Sequence, residues 1–238
     1  MTKIAHILTP LCVAAAIAGA MPGCGEFSKD RKTVKQEQYD RWNAARVTIM
    51  AQLARQQFEA GDFEKCRQTL TQCVAIDPKH EPTYVLVGRL ELESGDVEKS
   101  VEGLKTAIRL NADDAEAYYY LGVCYQRWQN FQSAHDNYKL AWDKKPAEPA
   151  YMMAMIEMEI SLGQIDAAEK TLLDKLTFFE QTPAVRVALG RIQVLRGNYA
   201  RATQYYRDAI LMSPDDAGLR QNYAEAIYMS GKYSTAIV

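Results

Sequence analysis

From Ala115 to Glu148, large and small apolar positions return at helical spacing. Tyr118, Leu121, Gly122 and Tyr125 stand three, one and three residues apart, and Ala134, Tyr138, Ala141 and Pro146 follow at nine, four, three and five. Apolar residues recurring at i, i+3, i+4 and i+7 predict two short helices packed face to face. Gly122, Ala134 and Ala141 are small enough to let two backbones approach. Tyr118, Leu121 and Tyr138 supply the bulk between them, and Pro146 stops the second helix.

The same pattern recurs every 34 residues. One period back stand Tyr84, Val87, Gly88, Leu104 and Ala107, and two periods back Met50, Leu53, Ala54, Cys66, Leu70, Cys73 and Pro78. Forward come Met152, Met155, Ala168 and Leu172, then Leu189, Gly190, Ala202, Tyr206, Ala209 and Pro214, then Tyr223, Ala224, Gly231, Tyr233 and Ala236. Six units therefore begin at Val47, Glu81, Ala115, Pro149, Pro183 and Ala217, with no insertion or deletion between them. In five of them a glycine (Gly61, Gly95, Gly163, Gly197, Gly231) separates the helices, followed two residues later by Phe63, Val97, Ile165, Tyr199 or Tyr233. This pattern resembles the 34-residue tetratricopeptide repeat (TPR), W-x2-L-G-x2-Y…A-x3-F…P. The resemblance covers residues 47–238 and implies an all-α solenoid of helix-turn-helix units, wound as a right-handed superhelix around a concave groove.

Two units depart from the pattern. In the fourth, Ile156 replaces the small residue of the first helix, Lys175 replaces the alanine of the second, and Glu180 stands where proline is expected. Bulk at close-approach positions predicts helices pushed apart and a local change of superhelical twist. The sixth stops at Val238, a few residues into its second helix. The expectation is a fragment of a longer protein; a partner or dimer mate over that end is the alternative.

Ahead of the repeats the pattern changes character. Lys3 followed by the short apolar run Ile7–Ala20, broken by Thr9 and Pro10, is too short for a membrane span and reads as a secretory signal peptide over residues 1–23. Met21-Pro22-Gly23-Cys24 resembles the bacterial lipobox, which implies lipidation at Cys24. Pro22 is atypical of that motif, and Ala18-Gly19-Ala20 offers an ordinary cleavage site that would release a soluble periplasmic protein. Residues 24–34 read as a polar tether. A helix from Lys35 to about Phe58, with an apolar stripe of Tyr39, Trp42, Ala45 and Ile49, is expected to cap the first repeat, its extension covering residues 35–46.

Composition narrows the function. A net charge of −2 and a pI near 6.0 argue against a nucleic-acid binder, which would need a basic face. Cys66 and Cys73 lie seven residues apart on one helix, about 10.5 Å along its axis, too far for a disulfide. With Cys124 they read as core packing, and the scattered His6, His80 and His135 give no metal-ligand pair. No catalytic, cofactor-binding or metal-binding residue and no small-molecule substrate is expected.

By the resemblance, positions two, five, nine and twelve of each repeat face the groove. Position five holds Ala51, Val85, Tyr119, Met153, Val187 and Gln221; position nine holds Arg55, Arg89, Val123, Glu157, Arg191 and Glu225; position twelve holds Phe58, Leu92, Gln126, Ile160, Val194 and Tyr228. The expected partner site is drawn from these as Arg55, Phe58, Val85, Arg89, Leu92, Tyr119, Met153, Glu157, Val187 and Arg191. It has an apolar floor with two arginines at its N-terminal end, suited to a protein segment with hydrophobic anchors and an acidic end. The Lys and Asn with which chaperone-binding TPR domains hold a C-terminal carboxylate are absent from the first two repeats. The expected function is a non-catalytic scaffold, lipid-anchored in a bacterial envelope. Gly25, where aspartate would signal inner-membrane retention, favours the outer membrane facing the periplasm. In architecture such a protein resembles the pilotins of type IV pilus assembly and accessory lipoproteins of outer-membrane protein assembly. The alternative is the docking or regulatory half of a longer exported enzyme.

Overall fold

The computed structural model describes residues 26–231. The signal peptide, the lipobox cysteine Cys24 and residues 232–238 of the sixth repeat lie outside the described residues. Within them the chain forms eleven helices: α1 (Glu26–Glu59), α2 (Phe63–Ile76), α3 (Glu81–Glu93), α4 (Val97–Leu110), α5 (Ala115–Arg127), α6 (Phe131–Lys144), α7 (Pro149–Ser161), α8 (Ile165–Lys175), α9 (Pro183–Leu195), α10 (Tyr199–Met212) and α11 (Ala217–Met229). No helix among the described residues is long and apolar enough to cross a membrane.

The chain divides into two units, Met1–Asn43 and Ala44–Val238. In the first, helix α1 begins at Glu26, not at Lys35 as the sequence suggests. No proline or glycine follows Gly25 there, and Lys29, Arg31 and Lys32 are good helix formers, so nothing local stops the helix earlier. The rings of Tyr39 and Trp42 lie 6.3 Å apart. Of the apolar stripe, Tyr39, Trp42 and Ile49 are exposed.

In the second unit α3, α5, α7, α9 and α11 start on five of the six residues that the periodicity marks as repeat starts, the other, Val47, lying within α1, and α2, α4, α6, α8 and α10 keep the same 34-residue phase. The turn between paired helices sets that phase. At Gly95 the backbone has φ 85°, its N–H donates to Leu92 O at 3.2 Å, and the Asp96 N–H donates to Glu91 O at 2.9 Å. This is a Schellman ending, which needs a left-handed residue after the helix. The repeat without a glycine makes the same turn with Gln129 at φ 58°, its neighbour Asn130 bonding back to Tyr125 O at 2.9 Å. The Asp96 and Asn130 side chains then cap the next helix by accepting from the Lys99 and Ser133 N–H groups, each at 3.1 Å.

Packing follows a small-against-large rule. A Cβ built on Gly88 would lie 2.5 Å from Leu104 Cγ, and one on Gly122 or Gly190 would lie 2.6 Å from the ring of Tyr138 or Tyr206. Small residues Cys66, Ser100, Ala134, Ala168 and Ala202 recur in the second helices, all fully buried. Each helix packs chiefly on its neighbours in chain order, the arrangement of a solenoid. Polar pairs 24 residues apart recur across repeat boundaries: Arg67 with Glu91, His135 Nε2 with Glu159 Oε1 at 3.5 Å, and Gln193 Nε2 donating to Glu169 Oε1 at 2.7 Å.

Repeat four breaks the rule as its sequence implies. Ile156 takes the glycine position and is buried, setting a large residue opposite Leu172 in the repeat register. Helix α8 has 11 residues where the other second helices have 14, ending at Lys175 in the close-approach position. The contact of α7 with α8 is correspondingly sparser than that of α3 with α4 or α5 with α6.

Candidate functional site

The first helices of the repeats carry the residues assigned to the groove, and the structure sorts those residues into three groups. Val85 and Leu92 belong to the core, with 1% and 2% of their surface exposed, and this corrects the sequence reading. Val85 packs with Ala107 and Ala117 beneath Tyr120 of the next repeat, and Leu92 packs with Val101, Leu104 and Leu121. A valine is short enough for the following tyrosine to cover it.

A second group is committed to internal contacts. Arg89 sits between two rings, its guanidinium carbon 4.9 Å from the centroids of both Phe58 and Tyr120. Its Nη1 is 3.1 Å from Glu116 Oε1, so its charge is stacked and paired. Phe58 also meets Phe63 at 5.7 Å. Tyr119 is held in a ring cluster with Tyr151 at 5.0 Å, Tyr120 at 5.3 Å and Tyr138 at 5.5 Å. Burial, reinforced by Glu116, Glu148 and Asp114, pushes the Tyr151 phenol up to about 12. At the start of α3, burial and the adjoining Asp114 carboxylate push Glu81 up to about 8, and its Oε1 is buried without a partner. Of the two arginines read as a basic end, Arg55 alone is exposed.

The third group forms a site. Met153, Glu157, Val187 and Arg191 line a pocket of about 480 Å³ between α7, α9 and α11. Arg191 Nη1 lies 2.5 Å from Glu157 Oε2, a pair between the same position of adjacent repeats. Ile160, Pro183 and Leu219 complete the apolar lining, with Thr182, Ser213 and Asp216 from the turns. Val187 and Arg191 also line a second pocket of about 360 Å³, walled by Val194, Leu195, Tyr199, Glu225 and Met229. The two are contiguous, so one trough runs along repeats four to six. Its turn residues lie outside the helical positions that periodicity marks. Thr182 and Ser213 each precede a repeat start by one to four residues, which is the one signal that could have found them.

The three cysteines of the repeats are not activated. Cys66, Cys73 and Cys124 are buried and free, and burial pushes each thiol up, away from the nucleophilic thiolate. Among the described residues no group of three or more His, Cys, Asp or Glu side chains could hold a metal ion.

Comparison with known proteins agrees with this architecture. Residues 88–127 match the family described as TPR repeat, and residues 187–237 match that described as tetratricopeptide repeat. The TPR repeat-containing protein YpiA of Bacillus subtilis is 24% identical over 181 residues, which make up 75% of this chain and 42% of that protein. The chain thus spans less than half of that relative's length. Among solved structures, PilF of Pseudomonas aeruginosa superposes with a TM-score of 0.71 at 14% identity, covering 82% of this chain and 88% of that one. PilW, described as a widely conserved type IV pilus biogenesis factor, superposes at 0.67 with 20% identity, covering 80% and 88%. With helix starts, turns and close-approach positions all repeating at 34 residues, the chain carries tetratricopeptide repeats and folds as the solenoid that such repeats build.

Proposed function

We propose that the protein is a non-catalytic scaffold that binds segments of partner proteins in the groove of its TPR solenoid. One observation carries this reading: a trough along α7, α9 and α11 is lined by apolar side chains that the fold leaves partly open, Met153 and Val187 half-buried and Leu195 exposed. Such troughs accept helical or extended segments through spaced apolar anchors. The scaffold acts in a bacterial cell envelope, lipid-anchored through Cys24 and facing the periplasm from the outer membrane. That setting is supported by the lipobox-like Met21-Pro22-Gly23-Cys24 and by the likeness in fold to a pilus biogenesis factor.

Two experiments test this. Pull-downs from solubilised envelope compare the wild type with Met153→Glu and Val187→Glu, each first checked by circular dichroism. Loss of partners in both folded variants is expected, and unchanged recovery would place binding elsewhere. Palmitate labelling and membrane partitioning should both disappear in Cys24→Ala. A wild type that neither labels nor partitions would remove the anchor from the reading.

A further inference from the structure

The trough is not electrically neutral. Three carboxylates line its two pockets, Glu157, Asp216 and Glu225, against the single guanidinium of Arg191. Arg191 is already engaged by Glu157 at 2.5 Å. Asp216 is exposed and caps α11, its Oδ1 accepting the Leu219 N–H at 3.1 Å, and it has no ion-pair partner among the described residues. Glu225 is exposed and has no cation within ion-pair reach among the described residues. Close to it lie the exposed apolar side chains of Leu195 and Met229, 56% and 49% accessible. Upstream Asp114, Glu116 and Glu148 all act on the buried Tyr151, Glu116 being paired with Arg89 and Glu148 with Lys145 at 3.7 Å.

We infer that the trough over repeats four to six takes a basic, amphipathic peptide segment. Apolar anchors of the segment seat against Met153 and Val187 in one pocket and against Val194, Leu195 and Met229 in the other, while a lysine or arginine between or beside them meets Glu225. This reverses the acidic-ended ligand suggested by reading Arg55 and Arg89 as free cations. It rests on the proposed role of the groove and adds the chemistry of the occupant. Complementary charge contributes here mainly to selection and encounter, and the apolar contacts hold the complex.

The test is a selection of phage-displayed random dodecapeptides on the immobilised full chain, with recovered peptides synthesised and titrated by fluorescence anisotropy. Recovered sequences should pair lysine or arginine with leucine, isoleucine, valine or phenylalanine. Their affinity should fall about fivefold to tenfold in Glu225→Lys, because an exposed attraction becomes a repulsion of similar size. Binding should be lost in Val187→Glu and in Met229→Glu, the latter an exposed position where folding is not at stake. Recovery of acidic or uncharged apolar peptides that are lost in those two variants would overturn the charge inference and leave the groove intact. So would an affinity for basic peptides that Glu225→Lys does not change. Peptides indifferent to Val187→Glu and Met229→Glu, or no recovered peptide at all, would overturn the groove reading as well.

Discussion

Gln129 is the turn residue that pays a conformational penalty its counterparts avoid. At φ 58° it occupies the left-handed region that Gly61, Gly95, Gly163, Gly197 and Gly231 fill at the same point of their repeats. A residue with a Cβ is about 1–2 kcal/mol less stable there. Replacing it with glycine also frees the unfolded chain, which offsets about 0.4–1 kcal/mol. Gln129 is exposed, so removing its side chain uncovers no core. Gln129→Gly should therefore stabilise the fold by about 0.5–1 kcal/mol, about 1–4 °C in Tm for a domain of this size. The mirror experiment is Gly95→Ala, where an added Cβ meets nothing within 4 Å and any loss is purely of backbone origin. It should destabilise by a similar amount, and the double variant should melt near the wild type. Thermal melts followed by circular dichroism at 222 nm (the far-ultraviolet helix band), with urea titrations as a second measure, decide the matter. A Gln129→Gly protein no more stable than the wild type would refute the turn account, since the backbone would then be tolerating the side chain at no cost.

Other expectations are briefer. Gly122→Ala places a Cβ 2.6 Å from the Tyr138 ring, whose hydroxyl donates to Gln126 Oε1 at 2.6 Å, so a loss of about 1–3 kcal/mol is expected in urea unfolding. Arg89→Ala should cost about 1–2 kcal/mol, since it removes two ring contacts and an ion pair, whereas Arg55→Ala should cost under about 0.5 kcal/mol in the same assay. Glu81 holds its proton up to about pH 8 in the fold against an ordinary value of 4.5. Its protonated form thus favours the fold fully below about 4.5, and that contribution is lost as pH rises through about 8. Glu81→Gln should therefore lose less stability than the wild type between pH 5 and pH 9 in parallel melts.

Much of the fold is legible in the sequence because the repeat states its geometry five times. Position eight alternates with the bulky residue sixteen places on (Gly88 with Leu104, Gly122 with Tyr138, Gly190 with Tyr206), and those pairs fix which helix faces meet. The disturbance at Ile156 and Lys175 is visible for the same reason. The groove was less legible, because whether a groove position is open depends on the residue that the next repeat lays over it. Val85 is buried because Tyr120 follows, and Met153 and Val187 stay at the surface in the trough. Charge misled in the same way. Arg89 looks free along the chain, yet Glu116, 27 residues on, neutralises it. Where α1 starts was hidden by a polar stretch that has no apolar face to announce a helix and no breaker to forbid one.

The thin contact of α7 with α8 has a mechanical consequence. A linear stack bears load in series, so its compliance is set by the weakest joint and not by the average one. With a short α8 and Ile156 opposite Leu172, that joint lies at α8, which is packed thinly on both α7 and α9, between two stretches packed on glycine. The trough crosses it, running from α7 to α9 and α11 without touching α8. A segment lying in the trough therefore acts as a splint, bracing from one side a joint that the fold leaves slack on the other. Occupancy would be felt first as a stiffening of the whole stack, and pulling on its two ends would in turn loosen the grip on whatever lies there.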